Sequence, residues 1–164
     1  MATTYKELTS EEVNERRELL LSLGIDISRI GSDDDAIIKW FNNFTIRPQG
    51  IRSNGGIIQC HISIGTVPEC MIYLAHLLHT IHTIERLEII NIGVHSTVIT
   101  AEMIRPLIDA IDEKLLTDFL FIRVIFDDDA LMLIGNTIRR STSLKRVRIG
   151  SVITSLEVQE YLFD

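Results

Sequence analysis

Three histidines, His76, His79 and His82, recur every third residue, and imidazoles three or four positions apart on a helix can approach one metal ion. Cys60, His61 and Cys70 are close in the chain, so a metal site is the first chemistry to test. The spacing argues against it, because neither a zinc-finger pattern nor His-Glu-x-x-His occurs. The histidines are expected on the solvated face of a helix, with no metal and no cofactor. Two acidic triplets, Asp33–Asp34–Asp35 and Asp127–Asp128–Asp129, each precede Ala and two large apolar residues. A carboxylate at the start of a helix accepts hydrogen bonds from free backbone N–H groups and complements the helix dipole. That expectation covers both copies, whereas a magnesium site at Asp127–Asp129 would need further carboxylates or a phosphate-binding loop. No such loop is written here. Gly55–Gly56 is isolated, and neither glycine-rich phosphate pattern nor a nucleophile elbow appears. Cys60 lies in an apolar run and reads as a small core residue rather than a nucleophile.

These residues must be positioned by alternating helices and strands. Isoleucine occurs 27 times, about one residue in six, and β-branched side chains suit a pleated surface. Strand-like runs fall at 56–64, 86–92, 119–126 and 145–152, each preceded by helical spacing. Strict interleaving predicts parallel pairing through helical crossovers. A helix over 34–44 leads, through a longer loop with Pro48 and Gly50, into the first of these strands. Ahead of it, Thr9 and Glu12 form a capping-box pair for a helix ending at Leu23, with Gly24 placed to close it.

Glu69–Ile89 can be laid on Asp129–Ile149 without a gap at an offset of sixty. The segment between them joins at an offset of thirty-three, which places Leu120 on Leu87 and Ile122 on Ile89. Such periods indicate units that bury their apolar faces against their neighbours. The runs Leu74–Leu78 into Ile84–Ile89, and Ile134–Ile138 into Leu144–Ile149, resemble the leucine-rich repeat of the ribonuclease-inhibitor type over roughly residues 34–164. Asn91 stands one position earlier than the asparagine ladder of that family. The resemblance implies a short α/β solenoid of about four helix–strand units, with a parallel sheet and a concave face that binds protein. In that reading 1–33 is an N-terminal cap, 34–153 are repeat units and 154–164 is a closing helix, all one domain. An open three-layer α/β fold is the alternative architecture.

If Leu87, Ile89, Leu120, Ile122, Val147 and Ile149 face the helices, their neighbours face outward, since side chains alternate along a strand. The outward set is then Gln59, His61, Ser63, Arg86, Glu88, Ile90, Phe119, Phe121, Arg123, Ile125, Arg146 and Arg148. Aromatic and arginine side chains together have the composition of an interaction hot spot, so Arg86, Glu88, Phe119, Phe121, Arg123, Arg146 and Arg148 are the expected partner-binding residues. Phe119–Phe126 is also apolar on both alternations, as in a strand covered on both faces; residues 1–56 would then overlie the sheet.

Composition narrows the partner. Formal charge is −7 and the isoelectric point about 5.2, which disfavours nucleic acid and anionic membranes. Residues 1–35 hold nine acids against four bases, while Arg139, Arg140, Lys145, Arg146 and Arg148 crowd the far end. No apolar run approaches the roughly 20 residues of a membrane span, and no secretory signal is recognisable. Two cysteines imply no disulfide framework, so a reducing, cytoplasmic compartment is expected. A noncatalytic protein-interaction module is the expected function. A metal-dependent enzyme acting on a phosphorylated substrate, or a self-assembling structural subunit, are the alternatives.

Overall fold

The computed structural model describes residues 8–48, 56–62, 65–81, 83–92, 98–113 and 116–149. The chain begins in helix α1 (Ser10–Ser22), and its start follows from the capping box. Thr9 Oγ1 accepts from the Glu12 N–H at 3.2 Å, and Glu12 Oε1 accepts from the Thr9 N–H at 3.4 Å. Each end of the pair satisfies a donor that the helix itself cannot. Gly24, at φ 77°, takes the left-handed turn that ends the helix. The short helix α2 (Ile27–Ile30) follows. Gly31 then adopts φ 116°, and a Cβ there would lie 2.5 Å from that of Ala36.

Helix α3 (Asp34–Phe41) starts as the first acidic triplet requires: Asp33 Oδ1 accepts from the Ala36 N–H at 2.7 Å. It stops at Phe41 rather than Phe44. Asn42 and Asn43 turn the chain into strand β1 (Phe44–Pro48), which sequence pattern did not reveal. β1 runs antiparallel to β2 (Gly56–Ile62), with Phe44 opposite Cys60. An edge position tolerates Pro48, whose missing N–H would break an interior ladder.

From β2 onward the chain alternates: α4 (Val67–Thr80), β3 (Ile84–Asn91), α5 (Ala101–Asp112), β5 (Asp118–Ile122), α6 (Asp128–Arg140) and β7 (Arg146–Ile149). Two short strands, β4 (Val98–Ile99) and β6 (Ile125–Phe126), pair with each other just ahead of α5 and α6. The main sheet has the order β1-β2-β3-β5-β7, and every pair after the first is parallel. α4 packs on α5 and α5 on α6, so helices and strands succeed one another in the same order. The molecule is therefore mixed α/β, with a mostly parallel five-stranded sheet and six helices among the described residues.

The core lies between the helices and one face of the sheet. Ile58, Cys60, Ile62, Leu87, Ile89, Phe119 and Phe121 meet Met71, Leu74, Leu78, Leu107, Leu131 and Ile134, all essentially without exposure. Fully burying each large apolar side chain is worth about 1.5–3 kcal/mol, which makes this layer the dominant stabilising term. At the amino-terminal side, Trp40, Phe41 and Phe44 surround Tyr73 of α4 with centroid separations of 5.5, 5.1 and 4.7 Å. These contacts dock α3 beside α4, and Leu20 of α1, fully buried, adds to the same core. Arg17 of α1 reaches Asp34 at 2.9 Å and the Ser32 carbonyl at 3.0 Å, tying α1 to the start of α3.

Candidate functional site

Register decides which side chains the sheet presents on the face turned away from α4, α5 and α6. Leu87 stands opposite Phe119 and Ile89 opposite Phe121, so both phenylalanines point toward the helices with 0% exposure. Their expected place on the outer face is thereby corrected, and Leu120 and Ile122 take it. The cause is one residue of spacing: Leu78 and Leu87 are nine apart, whereas Ile111 and Phe119, the equivalent buried positions, are eight apart. A slip of one residue exchanges the two faces of a strand.

The face turned away from α4, α5 and α6 carries Ile57, Gln59 and His61 on β2, then Arg86, Glu88 and Ile90 on β3. Asp118, Leu120 and Ile122 follow on β5, and Arg146 and Arg148 on β7. Ser63, also expected here, lies outside the described residues. Gln59 Nε2 donates to Glu88 Oε2 at 2.8 Å. Arg86 Nε lies 2.8 Å from Glu88 Oε1 as a close ion pair without a hydrogen-bond alignment, and an Arg86 terminal nitrogen is 3.6 Å from Asp118 Oδ2. Glu88 and Asp118 are buried, so Arg86 is committed to neutralising them. Removing it would strand charge in a poorly solvated place.

Arg146 and Arg148 differ. Both are exposed on β7, next to Asp118 and Leu120, and neither makes an ion pair among the described residues. Arg123 is exposed as well, but not as a strand residue: it sits at φ 60° in the bend between β5 and β6. Ile125, expected outward on one long strand, belongs instead to the small β4–β6 sheet. Asp118 is a member of the charged row that sequence reasoning missed. A β5 phase set by the buried helix positions would have found it.

Asp127 Oδ1 accepts from the Ala130 N–H at 2.8 Å, the same cap that Asp33 makes on α3. His76 and His79 lie on the outer side of α4, where His79 Nδ1 is 3.5 Å from Glu113. Partial burial, then the neighbouring His79, lowers the His76 pKa. His82 lies outside the described residues. Among the described residues no three His, Cys, Asp or Glu side chains gather as metal ligands would. Cys60 and Cys70 are both buried, and desolvation, followed by a hydrogen bond that the Cys60 thiol donates to Cys70, pushes the Cys60 pKa well up. A thiol held in that form is a poor nucleophile. Glu69 is buried in the first turn of α4, 3.0 Å from Arg29 Nε, which ties α2 to α4. No described helix is long and apolar enough to cross a membrane. No family model, curated protein or solved structure matches the chain.

Proposed function

We propose that this chain is a noncatalytic protein-interaction module, a short leucine-rich-repeat-like solenoid that takes an acidic protein partner on the β7 side of the sheet face turned away from α4, α5 and α6. Sequential strand order, and helices that pack in the same succession, support the solenoid reading. One observation carries the choice of partner: Arg146 and Arg148 are exposed on one side of β7 and unpaired among the described residues, while Arg86 is occupied by Glu88 and Asp118. Exposed arginines whose charge is not satisfied internally favour an acidic surface, and arginine is a frequent anchor at protein interfaces. Half-buried Ile90 and Ile122 give the same face an apolar centre.

The test uses the intact chain beside an Arg146→Glu, Arg148→Glu variant in pull-downs from matched extract, with folding checked by circular dichroism. The partner should be acidic, bind the intact chain with an affinity that falls as salt rises, and lose about tenfold or more in affinity for the variant. Equal recovery of the same partners by both proteins, or none by either, overturns the reading.

A further inference from the structure

A cavity of about 500 Å³ opens where β2 and β3 end, bounded by Ile38, Lys39, Asn42, Asn43, His61 and Ile92. Small-molecule sites commonly have volumes of roughly 300–1,000 Å³. The fold creates the space because β1 runs antiparallel to β2: the Asn43 carbonyl accepts from the His61 N–H at 2.8 Å, so the α3–β1 turn stands over the end of β2. α3 directs Ile37, Trp40 and Phe41 into the core and leaves its Ile38, Lys39 and Asn42 side to the cavity.

The lining is chemically divided. Lys39, His61 and the two asparagine amides offer hydrogen-bond donors, and their side chains make no hydrogen bond or ion pair among the described residues. Ile38 and Ile92 supply an apolar wall, and Ile92 is 54% exposed at the mouth. Asp35, one helical turn before Lys39, also borders the space. Lys39 and Asp35 stand one turn apart on the same side of α3, one charge of each sign, so the lining suits a ligand with at most one negative charge. We infer that this cavity binds a small organic monocarboxylate with an apolar body, its carboxylate received by Lys39 and the asparagine amides and its body laid on Ile38 and Ile92. The site is separate from the β7 arginines and stands or falls independently of the partner proposed there.

The probe is 4-phenylbutanoate, titrated into the whole chain and followed by backbone amide NMR, with 4-phenylbutanamide as the uncharged control. Saturable shifts confined to the region of Lys39, Asn42, Asn43, His61 and Ile92 are expected. Affinity should be at least about tenfold weaker for the amide, and equally weakened by Lys39→Met, since a charge-assisted hydrogen bond is lost in each case. Lys39 is exposed, so the variant retains its fold, and its unperturbed spectrum elsewhere verifies that. Shifts that never saturate, that scatter over the surface, or that are the same for acid and amide or for parent and Lys39→Met overturn the inference.

Discussion

Replacing Phe121 with alanine is the sharpest test of the register. Its ring is fully buried and meets Phe119 and Phe126 edge-on, with centroids 4.4 and 4.5 Å away. Large-to-small truncation of a buried phenylalanine costs about 3–5 kcal/mol. Each edge-to-face pair is worth about 0.5–1.5 kcal/mol beyond burial, which places the expected loss in the upper half of that range, about 4–5 kcal/mol. For a chain of this size each kcal/mol lowers the melting temperature by about 2–4 °C, so a fall of roughly 8–20 °C is expected. Urea unfolding can be read from the fluorescence of Trp40, the chain's single tryptophan, which is itself buried. Arg148→Ala is the internal control, because an exposed side chain outside any ion pair should move stability by no more than about 0.5 kcal/mol. A Phe121→Ala variant within about 1 kcal/mol of the parent, close to the Arg148→Ala control, would refute the assignment of Phe121 to the core.

Asp127→Ala removes the acceptor for the Ala130 N–H and should cost about 1 kcal/mol in urea unfolding, while Asp127→Asn, also a good cap, should retain most of it. Burial raises the Tyr73 pKa above its ordinary 10.0, against a smaller opposing effect of Arg16. The folded chain thus holds a phenolic proton that the unfolded chain releases first, and the associated stability is full below pH 10 and lost as pH rises through the folded-state value. The difference between parent and Tyr73→Phe in ultraviolet titration should place the Tyr73 transition above pH 10; a transition at or below that value would contradict its burial.

Local chemistry was legible wherever a few adjacent residues settle it. Thr9 with Glu12, and an Asp three places before an Ala, announce helix starts because the partners lie within one turn. The inward phase of β3 was legible too, since Leu87 and Ile89 alternate with Arg86 and Glu88. β5 gave no such signal. Phe119, Leu120, Phe121 and Ile122 are apolar on both alternations, so periodicity cannot choose a face, and the choice rests on a one-residue difference in the preceding loop. β1 was hidden because its strand-favouring run, Phe44, Thr45 and Ile46, is only three residues long and is followed by Arg47 and Pro48. The cavity residues could not be grouped from sequence, since α3, β2 and the chain after β3 bring them together only through tertiary packing.

The acidic starts of the helices have an effect on the molecule's field as a whole. α4, α5 and α6 each carry the chain back from the end of one strand to the beginning of the next, so their axes run the same way and their dipoles add instead of cancelling. Three positive ends, each equivalent to about half a charge, therefore share the rim at which the strands end. Glu69 meets the first, Glu102 the second, and Asp128 and Asp129 the third. Part of the chain's net −7 is thus spent against the field of its own backbone, and the charge that a distant molecule senses along that rim is smaller than a count of carboxylates suggests.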